Sequence, residues 1–201
     1  MKITIYIMAL CFAIFLMQVL VQPLTHLIAL TPTLALGGMY WQFITYMFAH
    51  GSISHLGYNM LALFIFGNVV ERFLGARKYI TLYIVSGIGS ALVHILLTGI
   101  SDIPMLGASG AAYAVLTAYA VKYPNNRLIL FPIPFPVKAI YVVIGFIVFS
   151  VFAGFTDIFS GIAHFGHLGG IIFGALLMLK WRRDDKAKTD LDGYEWVWEN
   201  W

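Results

Sequence analysis

Residues 162–183 read IAHFGHLGGIIFGALLMLKWRR. Apart from His164 and His167 the stretch is apolar as far as Lys180, after which Arg182 and Arg183 follow almost at once. A helix needs about 20 apolar residues to cross roughly 30 Å of hydrocarbon, and clustered cations just beyond its end mark the cytoplasmic side. Five further runs of this kind occupy roughly 3–22, 55–74, 79–98, 108–122 and 138–155. The run at 108–122 is short by that standard. Whole-chain composition agrees: 61% of the 201 residues are hydrophobic, 10% are charged and the mean hydropathy is +0.87. A soluble domain carries about 25% charged residues. So little charge cannot cover a water-facing surface, which excludes a soluble enzyme, a disordered chain and a nucleic-acid module. The expected fold class is an all-α polytopic membrane bundle of six helices.

The cations test the span count. Lys2 precedes the first run, and Arg72, Arg77 and Lys78 lie between the second and third. Lys122, Arg127 and Lys138 flank the connection between the fourth and fifth, and Lys180, Arg182, Arg183, Lys186 and Lys188 follow the sixth. These are all 12 Lys and Arg residues; the connections 23–54, 99–107 and 156–161 hold none. The positive-inside rule then places both termini in the cytoplasm. The net charge of +3 is thereby explained without a polyanionic partner. The first run follows Lys2 but has no small-x-small cleavage site before Pro23, so it reads as a retained span rather than a signal peptide. The expected organisation is a membrane domain over 1–180 and a cytoplasmic tail over 181–201 that carries Trp196, Trp198 and Trp201. The connection 23–54 is long, uncharged and rich in aromatics (Trp41, Phe43, Tyr46, Phe48), which predicts packing against or into the membrane. Cys11 is the only cysteine, so neither an internal disulfide nor a Cys-rich metal site can form.

Polar side chains inside a membrane are costly and mark function. Asn59, Ser109 and His167 each precede a cation (Arg72, Lys122, Lys180) by thirteen positions, about 20 Å along a helix. With the cations at the inner interface, an amide, a hydroxyl and an imidazole share one depth, roughly 10 Å below the outer surface of the core. Ser109 stands in Gly107-Ala108-Ser109-Gly110 at the outer start of the short span. The unpartnered amides of a helix start can hold an anion and supply half of an oxyanion hole. Taken alone the same four residues also read as a plain N-cap among small residues. His167 precedes Gly170 and Gly174, a small-xxx-small face that lets backbones approach closely; a structural histidine bonded to a neighbouring helix fits that spacing equally well. His55 and Asn59, four apart, share one face and could both donate toward a developing oxyanion, whereas His50 reads as a loop residue. Tyr113 lies one turn below Ser109 and could pack on the His167 ring. His164 and His167 raise the question of a metal, but zinc takes three or four protein ligands and no HExxH is present, so no metal and no cofactor are expected.

Taken together, these residues resemble the rhomboid intramembrane serine proteases. The resemblance rests on six spans, Gly-x-Ser-Gly heading a short fourth span, and Gly-His-x-x-Gly-x-x-x-Gly in the sixth. It rests also on His50, His55 and Asn59 at the head of the second span, and on Gly67, Glu71 and Gly75 at its end. It covers nearly the whole chain up to Lys180. It implies that Ser109 is the nucleophile and His167 the general base, with His55, Asn59 and the Ser109 amide forming the oxyanion hole. Tyr113 would then support the His167 ring, and Gly107, Gly110, Gly170 and Gly174 would permit the close packing. His164 falls where many bacterial members carry an extra histidine. Trp41-Gln42 stands where the family often has Trp-Arg, which puts an anchoring contact of the first loop in question.

A serine hydroxyl is a weak nucleophile until a base takes its proton. No aspartate lies within the spans to orient the imidazole, so helix packing and Tyr113 take that part. The resemblance implies hydrolysis of peptide bonds in single-span membrane proteins, which enter from the bilayer near the fifth span, and residence in a prokaryotic inner membrane. Gly154 and Gly161 flank a short loop containing Asp157, read as a mobile cap. Two other readings use the same residues: a catalytically inactive relative that binds transmembrane helices, and a small transporter with histidines along its path.

Overall fold

The computed structural model describes residues 2–129, 134–156 and 163–192. The loop residues Asp157 and Gly161 and the tail residues Trp196, Trp198 and Trp201 lie outside the described residues.

Helix α1 (Ile3–Leu20) carries no charge, and the residues it buries are Thr4, Cys11 and Gln18. These are spaced by sevens and form one stripe. Two of the three are polar, while Ile5, Leu10, Phe12, Leu16 and Leu20 face outward. Water would reverse that arrangement. In hydrocarbon an apolar exterior is free of penalty, whereas polar groups must find partners inside. Thr4 finds one in Glu71, whose carboxylate accepts from the Thr4 hydroxyl (2.8 Å) and from the amides of Thr4 (2.9 Å) and Ile3 (3.1 Å). A distant side chain thus caps the orphan donors at the head of α1.

Residues 21–52 fold as three short helices, α2 (Pro23–Ile28), α3 (Pro32–Leu36) and α4 (Gln42–Thr45), followed by a 3₁₀ turn over Tyr46–Phe48. An antiparallel bridge between Leu30 and Met105 joins this loop to the segment before the short fourth run. The loop is clasped by Gln42, which is fully buried. Its Oε1 accepts from the Thr31 amide at 3.0 Å, and its Nε2 donates to the carbonyls of His26 (3.2 Å) and Leu27 (3.3 Å). The neutral amide therefore does anchor the first loop.

Helix α5 (Ile53–Ala62) starts on Ser52, whose hydroxyl accepts from the His55 amide. It continues through a π-helical turn, Leu63–Gly67, into α6 (Asn68–Thr98). At Gly75 the backbone has φ 74° and ψ 164°, outside the helical region. The chain folds back there. A Cβ built on Gly67 would lie 2.6 Å from the Tyr79 hydroxyl, although twelve residues of continuous helix would separate the two by about 18 Å. The runs expected at 55–74 and 79–98 are thus the two limbs of one hairpin.

Helix α7 (Ser109–Lys122) has 14 residues, nine of them buried, and occupies the centre. A two-residue ladder, β1 (Arg127–Leu128) with β2 (Val137–Lys138), departs from the all-α expectation. Helices α8 (Ala139–Thr156) and α9 (His164–Asp192) complete the described chain, and α9 runs on past Lys180. Among the described residues three helical stretches are long and apolar enough to cross a membrane: Ile3–Leu20, Ile53–Thr98 and Ala139–Thr156.

Candidate active site

The glycines of α9 set how closely it approaches its neighbours. Gly170 lies against the backbone of Gly110, leaving no room for a Cβ, and Gly174 lies against Ala114. Gly169 lies against Ser90 on α6, whose hydroxyl donates to the Gly166 carbonyl at 2.7 Å. Backbone contact on both sides brings the first turn of α9 level with the first turn of α7.

At that level His167 Nε2 lies 2.9 Å from Ser109 Oγ. The Tyr113 ring stacks on the imidazole, with centroids 4.5 Å apart and planes inclined by 26°. Phe146 of α8 meets Tyr113 edge-on at 4.9 Å. The imidazole is therefore oriented by aromatic packing. His164 stands edge-on to His167 at 6.2 Å and to Phe149 of α8 at 5.7 Å. Among the described residues no group of three His, Cys, Asp or Glu side chains could hold a metal ion.

Gly107 has φ +124°, which disfavours any L side chain, and a Cβ there would lie 2.7 Å from the His55 ring. Glycine is required on both counts. Its absence of a side chain lets the imidazole rest on the turn that leads into Ser109. Asn59 Nδ2 is 3.9 Å from the same point and donates to the His55 carbonyl at 2.9 Å. A carboxamide has two N–H groups, so one remains for a further acceptor. His55 and Asn59 thus converge on the turn that leads into Ser109.

In the sequence His50 stands with His55 and Asn59 at the head of the second span, but nothing there gave it, or Gln18, a part in holding the turn before Ser109. His50 Nε2 is 3.4 Å from the Ala108 amide, and its own amide donates to Gln18 Oε1 at 3.0 Å. For Gln18 the one available signal was a glutamine inside an otherwise apolar run. Burial pushes the His50 imidazole down to about 4, helped by the His55 imidazole nearby, so it is neutral at pH 7.

A family model described as Rhomboid domain matches residues 37–183. Rhomboid protein 1, mitochondrial, of Saccharomyces cerevisiae is 32% identical over 133 residues, covering 64% of this chain and 38% of the relative. Rhomboid protease AarA of Providencia stuartii is 32% identical over 168 residues, covering 73% and 57%. Rhomboid protease GluP of Bacillus subtilis is 31% identical over 138 residues, covering 68% and 25%. The chain thus spans between a quarter and three fifths of the length of these relatives.

Proposed function

The chain belongs to the rhomboid family, and from that premise we propose that this integral membrane protein is an intramembrane serine endopeptidase with Ser109 as nucleophile and His167 as general base. The observation that carries the reading is the 2.9 Å contact between Ser109 Oγ and His167 Nε2, under a Tyr113 ring that holds the imidazole plane. A base must lie within about 2.6–3.2 Å of the proton it takes. His167 accepts the hydroxyl proton as Oγ attacks the scissile carbonyl. The acyl-enzyme then forms, the imidazolium returns the proton to the leaving amine, and water repeats the sequence to release the second product. Donors from His55, Asn59 and the Ser109 amide hold the oxyanion. With no aspartate in this reading, the ring depends on packing for its orientation.

The apolar exteriors of α1, α5 and α8 support a bilayer setting. The distribution of Lys and Arg supports six spans with both termini inside, a membrane domain over 1–180 and a cytoplasmic tail over 181–201. In this reading the substrates are single-span membrane proteins and the membrane is the inner membrane of a prokaryote. The relatives named as proteases are bacterial, while a mitochondrial protein also matches.

The test uses the full chain in lipid vesicles with an alanine-rich single-span reporter. The wild type yields a cleavage product; Ser109→Ala and His167→Ala yield none. A wild type that neither cleaves the reporter nor is labelled by a serine-directed fluorophosphonate would sink the reading. Equal cleavage by all three proteins would identify a contaminant.

A further inference from the structure

The turn ahead of α7 is held at two successive amides by the first loop. Gly107 N–H donates to the Tyr46 carbonyl at 2.9 Å, and Ala108 N–H points to His50 Nε2 at 3.4 Å. The tautomer follows from the other side of the ring. His50 Nδ1 lies 3.3 Å from the Phe48 carbonyl, which can only accept, so Nδ1 carries the proton and Nε2 presents a lone pair. The imidazole is 2% exposed, so water does not compete for that lone pair. Its backbone is fixed in turn by α1: Gln18 Oε1 accepts from His50 N–H, and Gln18 Nε2 donates to Thr25 Oγ1 at 3.0 Å. The polar chain from Thr25 through Gln18 and His50 therefore ends one residue before the proposed nucleophile.

We propose that His50 is a positioning residue for the proposed oxyanion hole: by engaging the Ala108 amide it locks the turn so that the next amide, that of Ser109, is the one presented beside Ser109 Oγ. Gln18 serves it by holding the His50 backbone. A helix start offers several unpartnered amides, and an oxyanion needs donors at about 2.7–3.1 Å from a single point. With the Ala108 amide engaged, the turn cannot roll to offer a different set. This inference rests on the protease reading for its consequence, but not for the bond itself.

The experiment compares wild type, His50→Ala, His50→Gln and Gln18→Leu as full chains in lipid nanodiscs. Amide exchange at Ala108 is followed by NMR, and kcat and KM are measured on the single-span reporter. Gln can place its side-chain oxygen where His50 Nε2 accepts; Ala cannot. The expected result for His50→Ala is faster exchange at Ala108 and a kcat loss of about 10–100-fold, short of the 10²–10³ for deleting an oxyanion donor outright, with KM within about twofold. His50→Gln restores both readings. If His50→Ala does not fold, Gln18→Leu carries the comparison, since it keeps the imidazole but frees its backbone. Unchanged exchange at Ala108 in the variants, or a His50→Gln no better than His50→Ala, overturns the proposal. A wild type without protease activity defeats the protease reading separately, and exchange at Ala108 still decides whether the bond exists.

Discussion

Among the described residues the proposed base is held by an aromatic ring rather than a carboxylate, and this sets what its neighbours must supply. Tyr113 contributes a face against the His167 imidazole. Tyr113→Phe should keep kcat within about threefold, while Tyr113→Ala should lower it by about 10–100-fold, the scale on which misplaced catalytic groups are felt. Steady-state cleavage of the reporter checks the pair; equal losses in both variants would mean that the hydroxyl, not the stack, matters. His50 gives a pH dependence of stability. Its pKa is about 4 in the folded protein against 6.5 for the free group. Between those values the unfolded chain takes up a proton that the native site excludes. Stability is thus fully present above about pH 6.5 and is lost as pH falls toward 4. The unfolding midpoint of the wild type should drop between pH 7 and 4.5 by more than that of His50→Gln.

At the scale of elements, α9 brings the site together because it has no side chain where it crosses α7. Gly170 meets Gly110 and Gly174 meets Ala114, backbone against backbone. Gly170→Val must push the helices apart, and overpacking of this kind costs about 1–3 kcal/mol or more. The expected outcome is a lowered unfolding midpoint together with loss of fluorophosphonate labelling at Ser109. A variant that retained labelling at the wild-type rate would show that the close crossing is dispensable. The first loop illustrates a different solution. Gln42 stands where the related pattern often has arginine, yet its amide both accepts and donates within the loop. An uncharged anchor avoids burying an unpaired cation, so the contact questioned on sequence grounds is made by other chemistry.

Across the whole molecule, apolar side chains cover much of the exterior as well as filling the core. Helix α1 buries Thr4 and Gln18 and shows its aliphatic side chains outward, and Glu71 is buried on the amides of a distant helix head. The proposed six-span topology makes a direct prediction. Cys11 is the only cysteine and is buried, so replacing it by Ala gives a background for single-cysteine labelling in intact cells. A cysteine at Ser101 should react with an impermeant maleimide, and one at Arg127 should react only after permeabilisation. The reverse pattern would invert the orientation, and labelling of both would break the span count.

Apolar runs, the segregation of twelve cations and a few polar residues inside those runs are properties of the chain read in one dimension. The family resemblance and the proposed choice of His167 over His164 rest on matching motifs; from composition and spacing alone came the membrane class and the short helix starting at Ser109. These were legible because partition into lipid depends on local composition, and because a helix turns distance along the chain into depth. What α1 and the first loop do was decided only in three dimensions. That Gln18 holds the backbone of His50, and that His50 takes the Ala108 amide 58 residues away, depends on how helices cross. Crossings are set by contacts between residues far apart in the chain, such as Gly170 on Gly110, and local pattern carries no record of which partner a buried polar group will find.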